Sequence, residues 1–172
     1  MTTLSPAQLL RRIRILTALF MVGLVISGVT AIPLVVELKW MVDLTGARQL
    51  VEAPTSTATP DWAVWLVRIQ EALHSTETSH PQLFYGTDWL AFGHIVIAIA
   101  FAGAWRDPAR NRWLFDFGLI ACALVIPWAL ILGALRGIPL WWRLIDCSFG
   151  VFGAVPLWLC RNWVNRLRTS AS

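Results

Sequence analysis

Residues 15–36 read ILTALFMVGLVISGVTAIPLVV and contain no charged side chain. At a helical rise of about 1.5 Å per residue, such a stretch reaches about 33 Å, enough to cross the roughly 30 Å hydrocarbon core of a bilayer. It is too long for the apolar part of a signal peptide, and Arg11, Arg12 and Arg14 precede it as a basic anchor. This stretch is therefore predicted to be a membrane-spanning helix.

Three further stretches are long and apolar enough to cross a membrane, residues 86–105, 113–135 and 144–160. The composition agrees with this interpretation, since 57% of the 172 residues are hydrophobic and only 14% are charged. Soluble domains contain about 25% charged residues. The sequence thus predicts an all-α integral membrane protein, an antiparallel four-helix bundle forming a single domain over residues 1–172, and excludes disorder.

Basic residues are distributed unevenly between the two sides that this topology defines. Basic residues near span ends are retained in the cytoplasm, so both termini are predicted to be cytoplasmic. The net charge of +4 predicts contact with anionic membrane lipids, and no nucleic-acid partner is predicted because the basic residues flank spans. The side of the termini carries Arg11, Arg12, Arg14, Arg106, Arg110, Arg112, Arg161, Arg166 and Arg168; the other side carries Lys39, Arg48, Arg68, Arg136 and Arg143.

The segment 37–85 is the only sizeable part outside the predicted spans. Its first part lacks a helix breaker until Gly46, which predicts that the first helix continues outward past a kink at Pro33. After a linker over residues 54–60, Thr59 and Pro60 predict the capped start of a second helix. That helix carries an apolar stripe and is predicted to lie along the membrane surface. The stripe consists of Trp62, Trp65, Leu66, Ile69 and Leu73.

Small and polar side chains recur at helical spacing along each predicted span, as expected where helices pack against each other in lipid. The stripes predict the bundle-facing sides of the four helices. Their members are Gly23, Ser27, Thr30 and Glu37; Thr87, Ala91, His94 and Ala98; Gly118, Cys122, Ala129, Gly133 and Arg136; and Asp146, Gly150 and Gly153.

The predicted topology places Glu37, Arg136 and Asp146 at one depth at the outer rim, with His94 below them. Arg136 between two carboxylates is a favourable arrangement, because an unpaired charge facing lipid is costly. Arg143, three residues before Asp146, is a local alternative partner. In the favoured interpretation these charges are structural pins that fix helix register. In the other they form a ligand pocket, in which Arg136 and Arg143 hold an anionic group and His94 titrates or hydrogen-bonds.

Enzyme motifs are missing from the sequence, which contains no Gly-rich phosphate loop, His-Glu-x-x-His pair, Gly-x-Ser-x-Gly elbow or Cys-x-x-Cys. No catalytic residue and no cofactor is predicted; a haem held by two histidines would need a second membrane histidine beside His94. Cys122, Cys147 and Cys160 fall at different depths and are predicted to be free thiols. A metal site of Cys147 and His94 is disfavoured because two ligands define no spacing pattern, so no metal is predicted.

Four segments of the second half resemble a family of small bacterial membrane proteins with four spans. They are Tyr85–His94, Arg106–Pro108, Arg136–Pro139 and Arg143–Gly150. The resemblance implies a bacterial inner-membrane location and nothing about chemistry.

Two functions remain open. The first is a non-enzymatic accessory or assembly subunit whose exterior meets other membrane protein subunits or pigments. The alternative is a small-ligand or lipid-headgroup binding or transport component with a pocket open to the periplasmic side. A membrane-embedded hydrolase or transferase is the least favoured.

Overall fold

The structure, a computed structural model, describes residues 5–53 and 59–169 and is helical throughout this part of the chain, without strands. Four helical segments, Pro6–Thr30, Pro81–Arg106, Arg112–Leu135 and Leu140–Thr169, are long and apolar enough to cross a membrane. The chain is a multi-pass membrane protein, and the predicted all-helical fold is confirmed. The helices are α1 (Pro6–Thr30), α2 (Leu34–Thr45), α3 (Ala47–Glu52), α4 (Asp61–Ser79), α5 (Tyr85–Arg106), α6 (Arg112–Leu135) and α7 (Leu140–Thr169), with a 3₁₀ turn at Pro81–Phe84.

The first span, predicted over residues 15–36, is helical over Pro6–Thr30, and both of its ends have local causes. At its start, Ser5 Oγ accepts a hydrogen bond from the Gln8 N–H (3.3 Å), and Gln8 Oε1 accepts one from the Ser5 N–H (3.0 Å). This reciprocal pair is a capping box, which satisfies two free donors of the first turn. At its end, Pro33 cannot donate a backbone hydrogen bond, and the chain turns before α2 begins at Leu34. The predicted break near Pro33 is present, but α1 ends at Thr30 and a separate helix begins at Leu34, so the first helix does not continue unbroken past Pro33.

The other predicted spans differ from the helices mainly at their ends. Helices α5 and α6 agree with the prediction to within one residue, whereas α7 begins four residues before the predicted Leu144 and extends to Thr169. The early start follows from Pro139, whose carbonyl accepts hydrogen bonds from the N–H groups of Trp142 and Arg143. The connection between α6 and α7 is therefore only Arg136–Pro139, and Gly137 adopts a positive φ of 69° there.

The chain divides into two compact units, Met1–Leu24 with Val96–Ser172, and Val25–Ile95. The first unit contains a hydrophobic core contributed by α1, α5, α6 and α7. Aromatic rings stabilise it, since the centroids of Phe20 and Phe101 lie 4.9 Å apart and those of Phe101 and Phe115 lie 6.4 Å apart. The buried core residues are Ile13, Phe101, Ala104, Leu114, Phe115, Leu157, Cys160 and Val164.

The second unit contains a small helical assembly outside the spans. Helix α4 packs against α2 and α3, and Arg48 of α3 donates to Gln70 Oε1 (2.7 Å) and to carboxylates of Glu52 and Glu71 (both 3.3 Å). The hydrogen bond to Glu52, with the contact to Glu71, raises the pKa of the Arg48 guanidinium. These exposed contacts hold α4 in register on α3, and apolar burial supplies the packing.

Two details of the predicted surface helix are wrong. The N-cap of α4 is Pro60, without a side-chain hydrogen bond, so Thr59 does not cap the helix. The buried residues of α4 are Ala63, Leu66 and Val67. The apolar stripe is thus rotated relative to the prediction, because its partner is the α2–α3 surface. The predicted linker falls mainly on residues 54–58, which lie outside the described residues.

Candidate functional site

Arg143 lies in the hairpin formed by α6 and α7. Its Nη1 donates a hydrogen bond to the backbone carbonyl of Leu130 (3.0 Å). Its alkyl chain lies over Gly133, where an added Cβ would be only 2.5 Å from Arg143 Cδ. The Nε atom is buried and has no hydrogen-bond partner among the described residues. Arg143 therefore joins the two helices, as expected of a structural pin.

Two other charged residues at this end of the hairpin, Arg136 and Asp146, are without ion partners in the described part of the chain. Arg136 follows the last residue of α6 and is exposed, and Asp146 is half-buried in α7. Neither the Arg136–Asp146 pair nor the alternative Arg143–Asp146 pair forms an ion pair within 4.0 Å. The predicted ionic layer is thus not closed by these three residues.

Glu37 and His94 belong to the other compact unit. His94 Nδ1 lies 2.8 Å from the carbonyl oxygen of Leu90, one turn earlier on α5. Because a carbonyl only accepts, Nδ1 carries the proton and Nε2 is left for another partner. Glu37 is half-buried in α2, and its side chain has no hydrogen bond among the described residues. The grouping of these two residues with Arg136, Arg143 and Asp146 in one pocket stays a prediction.

Gly28 is the small residue by which α1 approaches α5 in this unit. A Cβ at Gly28 would lie 2.9 Å from both the Ala91 carbonyl oxygen and His94 Cβ. The stripe predicted for the first span was wrong here, since Gly23 has nothing within 4 Å and Ser27 is exposed. The face of α1 that contacts α5 contains Gly28, one residue after the predicted Ser27. Helical periodicity alone therefore selected small residues next to the one that makes the contact.

Small residues form the contact between α6 and α7, as predicted. A Cβ at Gly150 would lie 2.5 Å from the Cys122 carbonyl oxygen, and a Cβ at Gly118 would lie 2.7 Å from Leu157 Cδ1. Cys147 Sγ donates to the Ile126 carbonyl (3.9 Å). These contacts bring the two backbones close together, which is how helices associate in lipid.

Cysteine thiols take part in this packing. Cys122, Cys147 and Cys160 are free thiols. Cys160 Sγ lies 3.9 Å from Thr17 Oγ1 and donates to the carbonyl of Ile13 (3.8 Å), so it joins α7 to α1 within the core. No group of three or more His, Cys, Asp or Glu residues in the described chain is arranged to hold a metal ion.

A second set of charges lies at the opposite end of the α6–α7 hairpin. Asp116 of α6 pairs with Arg161 of α7 and lies 3.8 Å from Arg112 of its own helix. The pairing of Arg161 with an acid was not predicted, because Arg161 belongs to a group of arginines that the sequence places at the membrane surface. The sequence feature that could have indicated this pair is Asp116 itself, because it is the single acid within the α6 span.

Arg14 also makes a contact that the sequence pattern does not predict. Its Nε donates to the carbonyl of Trp105 (3.3 Å), and its Nη2 donates to the carbonyl of Arg106 (3.2 Å). These carbonyls end α5 and have no helical partner, so the guanidinium caps the negative end of that helix dipole. Arg14 therefore ties α1 to α5.

Comparisons with protein families, with curated proteins and with solved structures find no match to this chain. The resemblance to small bacterial four-span membrane proteins accordingly stays a prediction.

Proposed function

We propose that the protein is a non-enzymatic accessory or assembly subunit of a membrane protein complex, located in a bacterial inner membrane with both termini cytoplasmic. The orientation is supported by the excess of arginine at the span ends nearest the termini. The structural use of its polar groups also supports the proposal. Arg14, Arg143 and the Asp116–Arg161 pair bind backbone carbonyls or each other, which are contacts that assemble helices.

An apolar ridge on α2 carries the functional part of the proposal. We define the α2 ridge as Val36, Trp40 and Leu44, whose exposed fractions are 45%, 62% and 88%. These residues recur every four positions, on the opposite side of the helix from the buried Leu38 and Val42. The packing of α2 against α4 therefore leaves the ridge uncovered.

Contact with membrane lipid does not explain why all three apolar side chains of the α2 ridge are exposed. The uncharged stretch 15–36 already spans about 33 Å, and Trp40 and Leu44 follow it beyond Glu37 and Lys39. Lys39 and Asp43 are exposed and flank the ridge. An apolar patch bordered by polar residues outside the hydrocarbon core is typical of a protein–protein contact. A neighbouring membrane protein subunit is the partner that we propose.

Site-specific photo-crosslinking tests this proposal. A photoreactive phenylalanine analogue replaces Leu44, and the matched control carries it at Ser75, an exposed position on α4. After irradiation of native membranes, the Leu44 probe is expected to yield a discrete adduct with another protein, and the Ser75 probe none. Adducts with lipid alone at Leu44, or equal protein adducts at both positions, would contradict the proposal.

The alternative, a pocket for a small anionic ligand or lipid headgroup on the periplasmic side, is favoured by one observation. Arg136 and Asp146 have no ion partner among the described residues. Arg136→Ala and Asp146→Ala distinguish the two functions. Loss of a co-purified small molecule at unchanged melting temperature favours the pocket, whereas an unchanged set of small molecules with retained protein adducts at Leu44 favours the accessory subunit.

A further inference from the structure

We propose that a groove between α1 and α5 binds one anionic phospholipid of the leaflet on the side of the chain termini. The groove has a volume of about 380 Å³ and lies entirely within the unit that contains both chain ends. Its basic residues are Arg11 and Arg14, and its wall on α5 is Trp105. Polar and apolar groups converging in a groove of this size are typical of ligand sites.

The lining of the groove combines basic and apolar side chains along α1. Ala7 and Leu10 come first, Arg11 and Arg14 follow, and Ile15 and Ala18 continue the groove toward the middle of the span. Arg11 and Ala18 are separated by about 10 Å along the helix axis at the usual rise per residue. Ile15 and Ala18 belong to the uncharged stretch of α1, so beyond the arginines the groove continues toward the hydrocarbon region. An amphiphile with an anionic head and an acyl chain matches both the basic and the apolar part of this lining.

Arg14 and Arg11 have different roles in this groove. The Arg14 guanidinium is held by the carbonyls of Trp105 and Arg106 and lies 6.0 Å from the centre of the Trp105 ring. It is therefore a fixed positive charge in the groove wall. The Arg11 side chain is exposed and makes no hydrogen bond or ion pair within the described part of the chain. Arg11 is thus the group available to bind a phosphate.

A second cavity of about 310 Å³ adjoins the first and shares Arg11 and Ile15 with it. This second cavity adds Arg12 as another cation beside Arg11. Arg11 therefore lines both cavities, and Ile15 is the apolar residue that the two share. A headgroup bound at Arg11 has the second cation beside it and the apolar groove next to it.

The charges around the groove favour an anion. Arg106 and Arg110 are exposed at the same end of the helices, and the one acid nearby in sequence is Asp107. Asp107 Oδ1 accepts a hydrogen bond from the backbone N–H of Arg110 (3.0 Å), which engages that carboxylate within its own turn. Clustered arginines at a membrane surface attract anionic lipid, each contributing on the order of 1 kcal/mol, or about fivefold in affinity.

Lipid retention measured by native mass spectrometry tests the proposal. The whole protein is released from nanodiscs holding equal amounts of phosphatidylglycerol and phosphatidylcholine. The wild type is expected to retain one phosphatidylglycerol in preference to phosphatidylcholine. Arg11→Gln should lower this preference about fivefold. The matched control Arg110→Gln removes an equal charge that attracts anionic lipid only from outside the groove, so it should lower the preference much less than Arg11→Gln does.

A second pair of variants fills the groove without changing charge. Ala18→Phe places a ring in the apolar end and should reduce retention, whereas Ala123→Phe, at an exposed position on α6, should not. Equal effects of Arg11→Gln and Arg110→Gln would overturn the proposal in favour of diffuse surface charge. Displacement of the lipid by millimolar glycerol phosphate would overturn it in favour of a soluble phosphate ligand. The absence of any lipid preference would also overturn it.

Discussion

Gly150 permits the backbone of α7 to lie against the backbone of α6. Gly150→Ala would place a methyl group 2.5 Å from the Cys122 carbonyl oxygen, and a backbone atom cannot turn aside as a side chain can. The helices must separate, so we expect a loss of about 1–3 kcal/mol in the free energy of unfolding, measured by thermal denaturation in detergent. The matched control is Gly93→Ala, because nothing lies within 4 Å of a Cβ there. Equal melting temperatures for the two variants would show that this contact does not support the fold.

Two polar residues within spans donate hydrogen bonds to backbone carbonyls. His94 donates to a carbonyl of its own helix, and Arg143 donates to a carbonyl of the neighbouring helix. Both bonds use groups that lipid could not satisfy, which is the usual reason for polar contacts in membrane helices. A charged residue in a span therefore does not by itself indicate a ligand site.

Arg14 ties helix α1 to the end of α5. Arg14→Gln removes the charge that faces the carbonyls of Trp105 and Arg106. We expect a loss of about 1 kcal/mol in the free energy of unfolding, because a cation stabilises the negative end of a helix. Arg12→Gln is the control, since Arg12 is exposed on the same helix and has no side-chain hydrogen bond among the described residues. An equal loss for both variants would indicate a general charge effect.

Helices α6 and α7 are joined at one end by Asp116 and Arg161. A double-mutant cycle with Asp116→Asn and Arg161→Gln should give a coupling of about 1 kcal/mol, because both side chains are partly exposed and water weakens the pair. The corresponding cycle with Arg112→Gln should give less, since Arg112 lies 3.8 Å from Asp116. Strict additivity of Asp116→Asn and Arg161→Gln would contradict a direct pair.

The sequence was sufficient to predict that four helices span the membrane, but insufficient to predict which residues those helices use to contact each other. Uninterrupted apolar length located α5 and α6 to within one residue, and Pro33 marked the break before α2. Pairing of charges could not be predicted, because it depends on helix rotation. Periodicity selected Gly23 on α1, although Gly28 is the residue in contact with α5. Because small residues lie on more than one face of α1, their spacing does not determine which face makes the contact.

The proposed orientation predicts that the connection between α5 and α6 is cytoplasmic and that α4 is periplasmic. Single-cysteine variants Ala109→Cys and Ser75→Cys, with the three native cysteines replaced by alanine, test this arrangement because both positions are exposed. A membrane-impermeant maleimide should label Ser75→Cys in intact cells, and Ala109→Cys only after permeabilisation, because arginine-rich connections remain cytoplasmic. Labelling of Ala109→Cys in intact cells would reverse the proposed orientation.

The mass and composition of the particle extracted gently from native membranes test the accessory-subunit proposal most directly. We expect a particle that contains this 172-residue chain together with a different membrane protein. Leu44→Gln should release the chain from that particle at an unchanged melting temperature. Leu83→Gln, which alters a 64% exposed residue outside the α2 ridge, should leave the particle intact. A wild-type chain that emerges alone, or only with copies of itself, would contradict the account.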